Sequence, residues 1–300
     1  MKSKVWLILP AYNEGELIEK SVNLLDDVLN RLIENGKLSA DSRILFVDDG
    51  SDDDTWAKIA ELHNSNEHVK GLRLAVNVGQ QSAIFAGIMQ AKVENVDAII
   101  TLDVDLQDDI EKIETFIDKM NEGYEAVFGV HNDRKTDNFM KKFTASVFYK
   151  LMRFMGVNVI ENHSEFRLLN RTCLERLSEY KETNLFLRAL TTGLTKKYTV
   201  VNYERKTRLG GTPKFSFNSS FELAIDGITA FTLDPIRMIW VLGLAVMVFS
   251  LLMLVKSLLI FTLWFLGGLQ LVAIGVIGEY IAKINKETKK RPRYFVEEVL

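Results

Sequence analysis

Five short apolar runs, the first four each delivering a polar cluster and most followed by residues at helical spacing, constrain this 300-residue chain to an α/β architecture. The first, about residues 4–9, runs into Pro10-Ala11-Tyr12-Asn13-Glu14, and then Leu17, Ile18, Val22, Leu25, Val28, Leu29 and Leu32 recur at helical spacing until Gly36. The second, residues 43–47, delivers Asp48-Asp49-Gly50-Ser51-Asp52-Asp53-Asp54-Thr55, whose acids and hydroxyls are of the types that cap a helix. A third, around residues 70–75, leads to Asn77-Val78-Gly79-Gln80-Gln81 and a helix containing Ala83, Phe85, Ala86 and Gly87. The fourth, residues 98–102, delivers Asp103-Val104-Asp105-Leu106-Gln107-Asp108, and a fifth follows near residues 125–130. The alternation predicts a mostly parallel sheet with helices on both faces and the polar clusters gathered along one edge, where open α/β sheets bind ligands. No G-x-G-x-x-G follows the first strand and no G-x-x-x-x-G-K-[ST] occurs, which argues against dinucleotide oxidoreductases and P-loop enzymes.

Asp103 and Asp105 alternate with apolar residues, so in extended backbone they project to one side about 7 Å apart, a span that a divalent cation can bridge. Oxygen ligands alone suit magnesium or manganese, and magnesium keeps positions open for substrate phosphates. A lone D-x-D is also common in solvated turns. An EF-hand fits worse, because counting from Asp103 its sixth place holds Asp108 where that loop needs glycine for its sharp turn.

The net charge of −3 predicts no general affinity for nucleic acid, and the single cysteine, Cys173, excludes an intramolecular disulfide. The N-terminal apolar run is short and ends at Pro10, so it reads as a strand of a cytosolic domain and not as a signal peptide. From Met238 to Ile281 the only formal charges are Lys256 and Glu279. Two stretches, about 238–255 and 258–281, are each just long enough to cross about 30 Å of hydrocarbon, with Lys256-Ser257 as a tight outer turn. A re-entrant pair is the alternative. Arg237 before the hairpin and Lys283, Lys286, Lys289, Lys290, Arg291 and Arg293 after it place both ends on the cytoplasmic side of the cell membrane. Residues 217–231 suggest an amphipathic helix that lies on the bilayer or packs on the domain. The expected organisation is a cytoplasmic catalytic domain over 1–215, an interfacial helix over 216–234, two transmembrane helices over 235–282 and a basic tail over 283–300. Gly267, Gly268, Gly275 and Gly278 permit close helix approach within the hairpin or between copies of a homo-oligomer.

Taken together, Pro10-Ala11-Tyr12-Asn13-Glu14, Asp48-Asp49-Gly50-Ser51 with Asp54-Thr55, Asn77-x-Gly79 with Ala86-Gly87, and Asp103-x-Asp105-Leu106-Gln107-Asp108 resemble the ordered motifs of family 2 glycosyltransferases with the GT-A fold. More narrowly, the whole chain resembles the polyprenyl-phosphate glycosyltransferases, the group of dolichyl-phosphate mannose synthase and the bactoprenol glucosyltransferases. The resemblance implies that Pro10, Tyr12 and Glu14 line the base and ribose pocket with Val47, Asp48 and Asp49. The bland alternative is a core aromatic at Tyr12 and helix-capping acids at Asp48 and Asp49. The resemblance also implies that Asp105 holds Mg2+ or Mn2+, with Asp103 and Gln107 as further ligands or contacts. Tyr203 to Phe215 resembles the family's R-x-x-R-x-x-G-x-[ST]-K-[YF] segment, with Pro213 where Ser or Thr is usual, making Arg205, Arg208 and Lys214 candidates for donor diphosphate and acceptor phosphate. His163-Ser164-Glu165-Phe166-Arg167 stands in place of an A-G-D-F-R-type segment, with Glu165 for aspartate, and His131 stands where an arginine is usual, leaving Arg134 for the phosphates. The implied reaction is inverting, metal-dependent transfer of one sugar from a nucleotide-sugar, a UDP-sugar more than GDP-mannose, to a polyprenyl phosphate. A processive polysaccharide synthase is disfavoured by the lack of Q-x-x-R-W and by only two spans; a catalytically silent membrane scaffold is the other alternative.

Overall fold

The computed structural model describes residues 2–131, 160, 163–181, 187–206 and 259–300. In chain order the elements are β1 (Val5–Ala11), α1 (Gly15–Glu34), β2 (Arg43–Asp48), α2 (Thr55–Ser65), β3 (Val69–Leu74), α3 (Gln80–Val93), β4 (Ala98–Thr101) and α4 (Lys112–Asn121). They continue with β5 (Ala126–His131), β6 (His163–Asn170), α5 (Arg171–Ser178), α6 (Leu187–Gly193), β7 (Tyr198–Tyr203), α7 (Leu259–Thr288) and β8 (Val296–Val299). The described strands form one sheet in the order β7-β5-β6-β4-β1-β2-β3-β8.

Side chains alternate across the sheet as period-two strands require. Val5, Leu7 and Leu9 of β1 join the core made with α1, α2 and α4, while Trp6 and Ile8 join the one made with α3, α5 and α6. The centre of the sheet is therefore buried on both faces, as in a GT-A fold, while the edge strands β7 and β8 are largely exposed. On the second face α3 lies so close to the sheet that a Cβ on Gly87 would stand 2.6 Å from Ile8 Cγ2, so only glycine permits that approach.

β1, β2, β3 and β4 run parallel, and β5 and β7 share their direction because both relate to β4 through the antiparallel β6. The reversal at β6 matters for the site. The C-terminal ends of β1, β2, β3, β4, β5 and β7 and the N-terminal end of β6 all meet along one edge, so His163-Ser164-Glu165 starts where Asp103 ends.

Two findings alter the expected C-terminal organisation. Residues 283–300 are not a free tail: α7 runs through the expected boundary to Thr288, and β8 then pairs antiparallel with β3, with Leu72 opposite Val299. The reason is physical, since the outer edge of β3 offers unpaired N–H and C=O groups; Ala75 N–H donates to Phe295 O at 2.9 Å and Leu300 N–H to Gly71 O at 2.8 Å. In addition, among the described residues no helix is long and apolar enough to cross a membrane. The expected first span and interfacial helix lie outside the described residues, while nearly all of the second falls in α7.

Candidate active site

Beyond β4 the chain keeps its alternation: Asp103, Asp105, Gln107 and Asp109 are partly exposed while Val104, Leu106, Asp108 and Ile110 are buried. The backbone between the two acids is not the extended strand that the spacing predicts: Val104 and Asp105 form a turn closed by Leu106 N–H donating to Asp103 O at 3.1 Å. Two anchors hold this spur, Ser21 Oγ donating to Val104 O at 2.6 Å and Lys206 N–H to Gln107 O at 2.8 Å. Leu106 takes a φ of +44°, a left-handed conformation costly for a branched side chain, which persists because its side chain is buried beneath the motif. Gln107 meets Asp105 through its backbone, its N–H donating to Asp105 Oδ1 at 3.4 Å.

Asp103 accepts from Gln80 Nε2 at 2.8 Å. Burial, then the neighbouring charges of Asp108 and Asp105, push its carboxyl up to about 7, while Arg188 and Arg205 pull the other way. Asp108 is also raised, by burial, despite accepting from the Tyr203 hydroxyl. Tyr203 is far above its ordinary range for the same reason and stays a neutral donor that also reaches Ser164 Oγ at 2.8 Å.

Facing these acids is a cationic side. Glu165, 3% exposed, pairs with the buried Arg167 and accepts from Arg188 Nε at 2.9 Å and Gln81 Nε2 at 3.1 Å. Arg167 donates to Thr191 Oγ1 at 3.0 Å and is pushed down to about 9 by burial and by Arg188. Two guanidiniums around one carboxylate leave a surplus positive charge, which the partly exposed Arg188 presents toward Asp103. Arg205 is exposed just past β7, and its charge is felt at both Asp103 and Asp108. His163 is kept neutral, its pKa well below the usual value through burial and the charges of Arg167 and Arg188.

The expected nucleotide-pocket residues gather at the ends of β1 and β2, where Pro10 pairs with Val47 and Ala11 with Asp48. Tyr12 and Glu14 are partly exposed, so Tyr12 is not a core aromatic. Asp48 is fully buried, accepts from Ser51 N–H at 3.2 Å and lies 3.6 Å from Arg73 Nε. Asp49 spends both oxygens on the loop before α3, accepting from Val78 N–H at 2.8 Å and Gly79 N–H at 2.9 Å. That loop approaches closely enough that a Cβ on Gly50, whose φ is +68°, would stand 2.7 Å from the Asn77 nitrogen. His131 closes β5, partly exposed. Arg134, Arg208 and Lys214 lie outside the described residues.

Sequence reasoning missed Arg188, Gln80, Gln81 and Tyr203 as site residues. Their partners lie 23 to 95 residues away in the chain, and no short motif carries such pairs. The donor set at Asp103 and Asp105 fits a hard divalent cation in one respect: like charges that raise Asp103 are relieved by a cation placed between them. Among the described residues no group of three or more His, Cys, Asp or Glu converges on one point that could hold a metal ion.

Residues 6–178 match the sequence family described as Glycosyl transferase family 2. The uncharacterized glycosyltransferase YkoT of Bacillus subtilis (strain 168) is 43% identical over 97% of this chain and 90% of its own. The prophage bactoprenol glucosyl transferase homolog of Escherichia coli (strain K12) is 35% identical over 99% of both chains. The bactoprenol glucosyl transferase of Shigella phage SfX is 35% identical over 98% of this chain and 99% of its own.

Proposed function

The chain belongs to glycosyl transferase family 2, and we propose that this glycosyltransferase moves one sugar, with inversion, from a nucleotide-sugar to a polyprenyl phosphate at the cytoplasmic face of the cell membrane. The observation that carries this reading is the meeting of the Asp103/Asp105 spur with Arg188 and Arg205 at one sheet edge. A site for transfer between two phosphates needs both signs: carboxylates for a cation and guanidiniums for phosphate oxygens. The names of two relatives support a polyprenyl acceptor and a glucosyl group. A UDP-sugar is the favoured donor and GDP-mannose the alternative.

In this reading Asp105 and Asp103, with Gln107 beside them, hold Mg2+ or Mn2+, which when bound neutralises charge on the departing nucleoside diphosphate. Tyr12 and Glu14 meet the base and ribose above Pro10 and Val47. Arg188 and Arg205 bind diphosphate and acceptor oxygens, joined by Arg134, Arg208 and Lys214. A phosphate monoester, with a second pKa of about 6, is already an anionic nucleophile. Its oxygen attacks the anomeric carbon as the bond from that carbon to the diphosphate breaks, so no side chain has to take a proton. Glu165, locked between Arg167 and Arg188, therefore orients cations and does not act as a base.

Four features support the membrane reading. The run from 238 to 281 is nearly free of charge, and Leu263, Val272, Ile274, Ile281 and Ile284 on α7 are exposed, an apolar surface that a bilayer covers. β8 belongs to the catalytic sheet, so any excursion into the bilayer before it must return to the side it left, an even number of crossings. Between the first turn of α3 and the end of α7 lies a cavity of about 470 Å³ bordered by Lys289, Arg291 and Arg293, which suits an anionic headgroup beside the site.

The test uses membranes containing the full chain, polyprenyl phosphate, Mg2+ or Mn2+, and labelled UDP- and GDP-sugars, scored by label entering the lipid fraction. Transfer of a single sugar, lost with chelator, is expected; folded and inserted protein that labels no lipid from any donor contradicts the proposal.

A further inference from the structure

Two consecutive glutamines open α3, and each carboxamide ends on a different functional carboxylate. Gln80 Nε2 donates to Asp103 Oδ1 at 2.8 Å, leaving Oδ2 of that carboxylate for another partner. Gln81 Nε2 donates to Glu165 Oε1 at 3.1 Å, and its own Oε1 accepts from Leu187 N–H at 3.1 Å. Leu187 begins α6, whose next residue, Arg188, donates to the same Glu165 oxygen at 2.9 Å. Neighbouring residues on a helix point about 100° apart, so one turn can serve the metal side and the guanidinium side separately.

The residue type fits the task. A lysine at either place would neutralise the carboxylate it held, and an acid would repel it. A neutral amide fixes the carboxylate oxygen while leaving its charge for a cation. The backbone supports the arrangement from behind, because Asp49 holds the two residues before α3 by their N–H groups.

We propose that Gln80 and Gln81 are positioning residues with separate duties, Gln80 orienting Asp103 toward the metal and Gln81 orienting Glu165 and, through it and the start of α6, Arg188 toward the substrate phosphates. The proposal rests on the glycosyltransferase reading above and adds two residues that none of the sequence motifs assigned to the chemistry.

The test uses the full chain in phosphatidylcholine nanodiscs, with Mn2+ binding measured by electron paramagnetic resonance in the presence of UDP, alongside transfer kinetics and the thermal unfolding midpoint without metal. Gln80→Leu, and Gln80→Met as a same-length control, are expected to weaken Mn2+ binding about 10- to 100-fold at an unchanged midpoint, as loss of a partner behind a metal ligand does. Gln81→Leu is expected to leave Mn2+ affinity within about twofold while kcat falls about tenfold or more. Both variants altering the same quantity, neither altering any, or losses that follow a lowered midpoint would overturn the separate duties. Wild-type protein that transfers sugar but binds no Mn2+ refutes the metal reading and Gln80's duty with it, and Gln81 is then judged on kcat. Wild-type protein that binds Mn2+ and UDP but transfers nothing refutes the proposed reaction, and Gln80 is then judged on Mn2+ affinity.

Discussion

The acids that follow β2 and those that follow β4 leave the same edge of the sheet, yet their oxygens meet different partners. Asp49 gives both oxygens to the N–H groups of Val78 and Gly79, and Asp48 accepts from Ser51 N–H. Asp53 accepts from Thr55 N–H at 2.9 Å; partial burial works against it, but the Thr55 hydroxyl and N–H and the Gly15 N–H hold it below the usual range. These carboxylates stitch loops together. Burial raises the carboxyls of Asp48, Asp49 and Asp103 alike, but Asp103 has a side-chain donor and two like-charged neighbours, Asp108 and Asp105, that raise it further. Composition alone does not separate the two groups; Asp49 gives both oxygens to backbone N–H groups of another loop, whereas Asp103 meets a side-chain amide and like-charged neighbours.

The largest expected stability effect probes the cationic side of the comparison. Glu165→Leu strands Arg167 in the core, and the loss of a buried partner costs about 3–5 kcal/mol in denaturant unfolding. A change below about 1 kcal/mol would mean that the guanidiniums do not depend on it.

Asp103 supplies the next effect, with the opposite sign. Its carboxyl is raised from 3.8 to about 7 in the folded chain, so the folded state holds that proton more tightly than the unfolded one. The contribution of Asp103 to metal-free stability is therefore most favourable below the unfolded value, falls as pH rises from about 4 to about 7, and is flat above. Asp103→Asn should gain up to about 4 kcal/mol over wild type at pH 8 and nothing near pH 4, followed by unfolding across that range. Asp49→Ala should behave in the contrary way. It leaves two loop N–H groups without their acceptor, about 2–3 kcal/mol lost, with Mn2+ affinity altered only as far as the loop shifts. A smaller effect belongs at the far edge. Glu298→Ala removes the acceptor of Trp56 Nε1, 3.0 Å away, and should cost about 1 kcal/mol.

Much of this was legible in the chain because local periodicity carries it. The strands β1 to β5 fall where the apolar runs lie, and burial still alternates from Asp103 to Ile110 although the backbone turns at Val104 and Asp105. β6 was seen only as a motif: nothing local to His163-Ser164-Glu165 declares that its strand runs against its neighbours. β8 was hidden because Val296-Glu297-Glu298-Val299 is short and acidic, with its pairing supplied by an edge more than 200 residues earlier. The resemblance sets Asp49 beside the nucleotide, with helix capping as the alternative; no spacing announced that its oxygens accept from Val78 and Gly79 N–H. Arg188 and the two glutamines were silent for the same reason, since their meaning is in tertiary partners and not in spacing.

The central claim is that the carboxylates after β4, and not those after β2, carry the chemistry of sugar transfer. The most direct measurement compares the rate of sugar transfer into polyprenyl phosphate by wild type and Asp105→Asn at saturating Mn2+ and equal folded fraction. The account predicts a fall of about 10²- to 10³-fold in kcat, the scale for losing a group that supports charge developing in the transition state. A variant that keeps its rate within about threefold would contradict it.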